Sequence, residues 1–231
     1  MDELTQYLKS TNHDEFKLEQ ILNKKIIITK NHIDNINVNY CYQNNEFNII
    51  SLFEKYGYIF TNDDYMLLVN KNGIMIGHML KDRTTNELCK AAVRQNGFAL
   101  QCLLNDEKTD EIYKLAVQQN GNVLEFVPED KKTDELYKIA VRQCGYALRF
   151  VKGDKKTDEL CEISIRQDGY ALQFVPDNKK TDKLCKIAVQ KYGRALQFVP
   201  DNKKTYEICR TAVQQNRIAL QFVPENMINI L

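Results

Sequence analysis

The sequence predicts an all-α fold: an α-solenoid of about six to seven 24-residue helix-pair repeats with an irregular N-terminal cap. Threonine recurs every 24 residues, and glycine follows most of these threonines twelve residues later. Apolar residues lie between the two at helical spacing. A fixed period of roughly 20–50 residues is the signature of a repeat array. The threonines are Thr61, Thr85, Thr109, Thr133, Thr157, Thr181 and Thr205, and the glycines are Gly73, Gly97, Gly121, Gly145, Gly169 and Gly193.

The period divides the chain into four parts. They are an N-terminal capping region (1–44), a degenerate repeat (45–60), the helical repeat array (61–224) and a truncated C-terminal segment (225–231). An array end exposes an apolar face that has to be covered, so residues 1–44 are expected to cap the first repeat. The last segment either folds back as a second cap or leaves an apolar end open for self-association.

The N-terminal region has a mixed pattern of apolar residues. Residues 14–22 have helical spacing, whereas residues 25–29 and 36–40 resemble short strands. We therefore expect one helix and two short strands in this region.

The first half of each repeat is predicted to be a helix with its own start and stop signals. The threonine hydroxyl can accept a hydrogen bond from an unpaired N–H of the first turn. Acidic residues such as Asp134 and Glu135 follow at once, where they complement the positive end of the helix dipole. The glycine is expected to end the helix in the left-handed conformation. Arg217 replaces it in the last copy, so Asn216 is expected to take that conformation instead.

The second half of each repeat reads Tyr-Ala-Leu-Gln-Phe-Val in its commonest form. Ala, Leu, Phe and Val lie on one side and Gln on the other, which predicts a short second helix that ends at a proline such as Pro176 or Pro200. A strand is the alternative, because Leu-Gln-Phe-Val alternates weakly. The alanine and the short distance from glycine to proline favour the helix.

Composition gives no support to a nucleic-acid partner and argues against a membrane partner. The chain has 32 basic and 31 acidic residues, and its net charge of +1 gives no general attraction to nucleic acid or membranes. No apolar run is long enough for a transmembrane helix. The first residues also lack the apolar stretch of a secretory signal. We therefore expect a cytoplasmic protein with no membrane partner.

The cysteines follow the repeat. Four of the seven occupy one column, four residues after the threonine, which tyrosine fills in two other copies, and this exchange indicates packing. Stacked helices lie about 8–10 Å apart, which is too far for a disulfide. Free thiols in a reducing compartment are expected, and no Cys/His cluster suggests zinc. The column contains Cys89, Cys161, Cys185 and Cys209, with Tyr113 and Tyr137 in the other two copies.

The run Ala-Val-x-Gln-x-Gly-x-Ala-Leu-x-Phe-Val-Pro, followed by a charged loop and Thr-x-Glu-Leu-Cys, resembles a repeat family that is known only as a domain of unknown function. The likeness is strong over 85–224 and weak over 61–84. Such repeats are found in giant viruses of amoebae, in bacteria and in some protists. The resemblance implies an all-helical array and a viral origin, hence the host cytoplasm, but it brings no reaction, cofactor or catalytic residue.

The residues themselves predict no enzyme, cofactor or metal site. His13, His32 and His78 lie far apart and outside the regular repeats. Acid pairs recur at the same helix starts in several copies, which the helix dipole explains without chemistry. A catalytic site needs a unique constellation, whereas near-identical copies indicate one contact that is repeated.

One polar column lies ten residues after the threonine, inside the apolar arc of the helix. We interpret it as an amide ladder that ties one copy to the next, with a ligand-facing groove as the alternative. It contains Gln95, Gln119, Gln143, Gln167, Lys191 and Gln215.

A second pair of columns, thirteen and sixteen residues after the threonine, lies on the short helix. The two positions are neighbours on one face, and they vary while the core columns hardly change. A fixed framework with one variable surface is how a repeat array would specify a partner, although a solvated face with drifting residues is the simpler alternative. The predicted partner-binding residues are Tyr146, Arg149, Tyr170, Gln173, Arg194 and Gln197.

Three functions follow from these patterns. The first is a scaffold that binds a protein partner through the variable face, where Tyr and Arg are typical binding hot spots. The second is a single-stranded nucleic-acid-binding array that stacks bases on Tyr146 and Tyr170. Aromatic residues are missing from that column in other copies and the overall charge is balanced, so the scaffold is favoured. A structural role in a virion follows only from the resemblance.

Overall fold

The computed structural model describes residues 2–10, 15–24, 26–37, 49–79 and 81–228. These ranges contain α-helices, 3₁₀ helices and irregular segments but no strand, which confirms the predicted all-α repeat fold. The chain forms two compact units, residues 1–119 and residues 120–231. No helix in the described part of the chain is long and apolar enough to cross a membrane.

Within the described residues, the unit 1–119 has four helices before the regular repeats. The helix Lys30–Asp34 packs against the first helix of repeat 61–84, Asn62–Lys71. Residues 26–29 form no strand, so that prediction is wrong, and residues 38–40 of the second predicted strand lie outside the described residues. The α-helices of this unit are Glu3–Lys9, Glu15–Leu22, Lys30–Asp34, Ile49–Lys55, Asn62–Lys71, Asn86–Gln95 and Asp110–Gln119, and its 3₁₀ helices are Gly73–His78, Lys81–Arg83 and Gly97–Gln101.

A buried carboxylate joins the helix Lys30–Asp34 to repeat 61–84. Asp64 is 1% exposed and receives hydrogen bonds from the Lys30 ammonium at 2.8 Å, the Tyr58 hydroxyl at 3.1 Å and the Thr61 N–H at 2.9 Å. Burial alone would raise the pKa of Asp64, but the hydrogen bonds from Lys30 and Thr61 lower it to about 2. The carboxylate is therefore charged at neutral pH and stabilises the start of the repeat helix.

The unit 120–231 contains four complete repeats from 133 onward, preceded by the second half of repeat 109–132. Each of the first three consists of a ten-residue α-helix, a six-residue 3₁₀ helix and a charged loop, and in repeat 205–228 the short helix Glu225–Ile228 takes the place of the loop. The α-helices are Asp134–Gln143, Asp158–Gln167, Asp182–Lys191, Tyr206–Gln215 and the short Glu225–Ile228. The longer 3₁₀ helices are Gly121–Phe126, Gly145–Phe150, Gly169–Phe174, Gly193–Phe198 and Arg217–Phe222, and the loops contain Glu129–Lys131, Gly153–Lys155, Asp177–Lys179 and Asp201–Lys203.

The long helices begin as the threonines predict. The Thr157 hydroxyl accepts a hydrogen bond from the Leu160 N–H at 3.2 Å, and Thr133, Thr181 and Thr205 make the same bond in their own repeats. Leu184, Cys185, Ala188 and Val189 are each 5% exposed or less, and their equivalents line the core of the neighbouring repeats. This apolar face is covered on both sides when a repeat has two neighbours.

The second helix of each repeat is a 3₁₀ helix, so its residues pair at a spacing of three. The Ala195 N–H donates to the Tyr192 carbonyl and the Val199 N–H donates to the Leu196 carbonyl. Because a 3₁₀ helix has three residues per turn, residues i and i+3 point in the same direction. Leu196 and Val199 are therefore buried together, while Arg194 and Gln197 are exposed together. The predicted helix is confirmed in this tighter form.

The repeat glycines serve close packing and do not adopt the left-handed conformation. Among the described residues, the glycine with positive φ is Gly57, at 87°. The residues before the repeat glycines are extended, including Asn216 at φ −152°, so both left-handed predictions are wrong. A Cβ on Gly169 would lie 2.6 Å from the Ala188 carbonyl oxygen of the next repeat. The glycine is needed because two backbones approach each other at this point.

Arg217 lies at the position that glycine occupies in the other copies. No described helix approaches the backbone there as the next repeat approaches the repeat glycines. The neighbouring Ile218 is 56% exposed and Leu220 is half-buried, whereas the equivalent Leu196 is fully buried. Among the described residues no following repeat approaches this position, so a side chain is tolerated there without a special backbone conformation.

Candidate interaction surface

The six predicted partner-binding residues lie in the unit 120–231 on three consecutive 3₁₀ helices, Gly145–Phe150, Gly169–Phe174 and Gly193–Phe198. Each of these helices packs against the next, so their outer faces form one continuous surface. We call this surface the short-helix face. It is defined by Tyr146, Arg149, Tyr170, Gln173, Arg194 and Gln197.

The two tyrosines of the short-helix face are half-buried and held by the following repeat. The Tyr146 ring packs edge-on against Phe174, with centroids 5.3 Å apart, and Tyr170 makes the same type of contact with Phe198 at 6.3 Å. The Tyr146 hydroxyl also accepts a hydrogen bond from the Gln173 amide at 3.2 Å. These contacts fix the tyrosines in one orientation, which lowers the entropy lost when a partner binds.

Tyr170 has a second aromatic neighbour that the sequence did not reveal. Its ring stacks on Tyr192 with centroids 4.9 Å apart and an interplanar angle of 16°. Tyr192 is 39% exposed, whereas one ring face of Tyr170 is covered by this stacking. Tyr170 therefore has less ring surface available for stacking on a nucleic-acid base than the sequence analysis assumed.

The polar members of the face are exposed and partly fixed by their own helices. The Gln173 and Gln197 amide groups donate to the carbonyls three residues earlier, at 3.1 Å each, so their Oε1 atoms are left to face outward. The Arg149 guanidinium lies over the Phe150 ring at 4.3 Å and 3.9 Å from the Glu125 carboxylate. No ion pair joins Arg194 to a carboxylate in the described part of the chain.

A groove of about 370 Å³ runs beside this face, between the last two of the three helices and the loops that follow them. Its walls contain two ion pairs of the same type, Lys180–Asp177 at 2.9 Å and Lys204–Asp201 at 2.8 Å. The lysine side chains are largely buried while the carboxylates are exposed, so this side of the surface presents acidic groups. The groove is lined by Gln173, Asp177, Lys180, Gln197, Phe198, Val199, Pro200, Asp201 and Lys204.

The glutamine column behind the face forms bonds between repeats. Gln215 Oε1 accepts a hydrogen bond from the Gly193 N–H at 2.5 Å, and its Nε2 donates to the Lys191 carbonyl at 3.3 Å. In the unit 1–119, Gln95 makes the same pair of bonds to Gly73 and Lys71. These glutamines are exposed and not buried as the helical wheel suggested. The geometry is that of the amide ladder and leaves these amides engaged with the backbone.

The buried cysteine column has no geometry for chemistry. Burial raises the pKa of both Cys89 and Cys185 to about 11, so these thiols stay protonated at neutral pH. Because the thiolate is the reactive form, such cysteines are inert. The described cysteines are free thiols, and those of the column are buried.

The histidines and acidic residues form no metal-binding cluster within the described residues. His32 is 4% exposed, accepts a hydrogen bond from the Thr29 N–H at 2.9 Å and lies 3.2 Å from Asp2, so it stabilises a helix start. Burial lowers the pKa of His78. His13 lies outside the described residues.

The structure adds a group of cations that the sequence did not single out. We call this group the basic edge; it runs along the ends of the long helices in the unit 120–231, next to the short-helix face. Two members are in contact, since Lys191 Nζ donates to the Arg166 carbonyl at 2.5 Å. The signal was present in the sequence as basic residues nine, ten, twelve and thirteen positions after the threonine. The basic edge consists of Arg142, Arg166, Lys191, Arg194 and Arg217.

Comparison with protein families found one match. The profile of a domain of unknown function (DUF4116) matches residues 109–154, 157–202 and 181–228, which together cover just over half of the chain. The prediction of an uncharacterised repeat family is confirmed, while its distribution among giant viruses stays a prediction. Comparisons with curated proteins and with solved structures found no significant match.

Proposed function

Since the chain belongs to the DUF4116 family of unknown function, its role has to be inferred from its own surfaces, and we propose that it is a non-enzymatic scaffold that binds a protein partner. The binding surface is the short-helix face. The observation that supports this proposal is the rigid placement of Tyr146 and Tyr170 between exposed Arg and Gln side chains on three packed helices.

Protein interfaces favour this combination of residues. Tyr and Arg are enriched at binding hot spots, and a tyrosine held by its neighbours binds without losing much conformational freedom. The Oε1 atoms of Gln173 and Gln197 add hydrogen-bond acceptors at equivalent positions of adjacent repeats. A surface repeated in this way suits a partner that spans several repeats.

Catalysis has less support than binding. The titratable groups of the unit 120–231 lie mainly in ion pairs such as Lys183–Glu162 at 3.0 Å and Lys203–Asp182 at 2.8 Å, and these pairs link successive repeats. A non-enzymatic role, in the cytoplasm or in the host cytoplasm of a virus, is therefore part of the proposal.

The proposal is tested by capturing partners from the native source with the purified full chain. A face variant replaces four exposed residues with alanine: Arg149, Gln173, Arg194 and Gln197. Tyr146 and Tyr170 are retained because they support the packing of the next repeat. We expect the wild type to recover a defined set of proteins, identified by mass spectrometry, and the face variant to lose them.

The matched control replaces two cations and two amides elsewhere in the same unit: Lys155, Asn178, Asn202 and Arg210. It should recover the same proteins as the wild type, and both variants should keep the wild-type circular dichroism spectrum. Equal recovery by the face variant and the control would exclude the short-helix face as the binding site. A labelled single-stranded RNA, titrated at two salt concentrations, tests the nucleic-acid alternative.

A further inference from the structure

The charge of the unit 120–231 is unevenly placed around the short-helix face. On the groove side, the lysines are largely buried in ion pairs with exposed carboxylates. Away from the groove, the basic edge presents five cations, of which Arg194 also belongs to the short-helix face. Two carboxylates lie among them: Asp168 accepts a hydrogen bond from the Tyr170 N–H at 2.9 Å, and Glu162 pairs with the Arg166 guanidinium at 2.7 Å. The whole chain has a net charge of only +1, so the edge concentrates positive charge locally.

Helix dipoles explain only part of this concentration. Arg142, Arg166 and Lys191 lie in the last turns of long helices, where a cation stabilises the negative end of the dipole. Arg194 and Arg217 lie at the start of 3₁₀ helices, where the dipole disfavours a cation. Their placement therefore needs another reason.

Three members of the edge have no internal partner. Arg166 is paired with Glu162 at 2.7 Å and Lys191 donates to a carbonyl. Within the described residues, Arg142, Arg194 and Arg217 are exposed and form no ion pair with a carboxylate. They lie in three of the four complete repeats of the unit. Each guanidinium thus has its donors available for an external anion.

We propose that the basic edge binds an extended, carboxylate-rich segment of the protein partner. This inference rests on the proposed function and specifies the chemistry of the partner. Guanidinium groups pair with carboxylates through two parallel hydrogen bonds, and their separation by whole repeats suits a chain that runs along the array. Nucleic acid is disfavoured because the adjacent Tyr170 ring is already stacked on Tyr192.

The test uses the full chain and a fluorescently labelled peptide that alternates Glu with Gly and Ser. Roughly 15 residues suffice, since stacked helices lie about 8–10 Å apart and an extended chain rises about 3.3 Å per residue. Binding is followed by fluorescence anisotropy at low and at physiological salt. A peptide with Lys in place of Glu and a single-stranded RNA of similar length are titrated in parallel.

Two variants that lose the same number of positive charges distinguish binding at the basic edge from general electrostatic attraction. The edge variant contains Arg142→Gln and Arg217→Gln, which lie outside the short-helix face, and the control contains Lys155→Gln and Arg210→Gln. All four side chains are exposed, so both variants should fold. We expect the edge variant to bind the acidic peptide about tenfold more weakly and the control to change by less than about twofold, because the lost charges of the edge pair directly with the peptide.

Several results would overturn this inference. They are no binding of the acidic peptide at low salt, equal weakening by the two variants, or tighter binding of the RNA than of the peptide. The scaffold proposal fails separately, when the face variant still captures the native partners. If capture depends on the short-helix face but the acidic peptide is not bound, the scaffold proposal stands and only the inference of an acidic partner segment is wrong.

Discussion

The junction between repeats 181–204 and 205–228 contrasts with the outer face of repeat 205–228. At the junction, Leu196 is fully buried and Gly193 lies directly below the Ala212 carbonyl. On the outer face, the equivalent positions hold a half-buried Leu220 and an exposed Arg217. The backbone is the same in both places, so the burial of a repeat depends on its neighbour as much as on its own sequence.

The largest difference in stability is expected between variants of Leu196 and Leu220, which occupy the same position in consecutive repeats. Leu196→Ala should destabilise the unit by about 2–5 kcal/mol, because the fully buried side chain leaves a cavity between two repeats. Leu220→Ala should cost about 1 kcal/mol, since its side chain is only half-buried and its removal leaves a smaller cavity. Urea unfolding followed by far-UV circular dichroism measures both changes. Similar losses would mean that the outer face is covered in solution.

The glycine position gives the next contrast. Gly193→Ala should destabilise by about 1–3 kcal/mol, because the added Cβ would overlap the Ala212 carbonyl oxygen, a backbone atom that cannot rotate away. Arg217→Ala meets no such carbonyl and should leave the free energy of unfolding within about 0.5 kcal/mol of the wild type.

Gly153→Ala is the control for the glycine variants. A Cβ there would have open space around it, so alanine should be tolerated or slightly stabilising. A stable Gly193→Ala variant would contradict the close-approach explanation of the repeat glycines.

The glycine result shows how far sequence reasoning reached. The period, the threonine caps and the helix pair could all be predicted, because each depends on residues close together in the chain. The reason for the glycines could not, since it is a contact between residues 19 positions apart, Gly169 and Ala188. The sequence also left open why a side chain is tolerated at Arg217, where no following repeat approaches among the described residues.

The candidate site was predictable to a similar extent. The spacing of three that joins Arg194 and Gln197 placed them on one face, and the 3₁₀ geometry makes that alignment closer than an α-helix would. The stacking of Tyr170 on Tyr192 could not be predicted, because it depends on how one repeat rotates against the next. The basic edge was missed for the same reason: its members occupy different columns and meet only in the folded chain.

Gln215 offers a smaller contrast across the same junction. Gln215→Ala removes the acceptor of the Gly193 N–H and the donor to the Lys191 carbonyl, and it should destabilise by about 1 kcal/mol. The adjacent Gln214→Ala should have almost no effect, because that side chain is exposed and makes no hydrogen bond in the described structure. Equal stability of the two variants in urea would show that water replaces the inter-repeat bonds at no cost.

The threonine caps of the two repeats should contribute equally to stability. Thr181 and Thr205 each accept one hydrogen bond within their own repeat, at 3.2 and 3.3 Å, so neither depends on a neighbour. Thr181→Ala and Thr205→Ala should both cost about 1 kcal/mol if the repeats unfold together. A clearly smaller loss for Thr205→Ala in the urea transition would mean that repeat 205–228 unfolds before the others, and amide hydrogen exchange would then show weaker protection there. Equal losses would attribute the leucine and glycine contrasts to the neighbour alone.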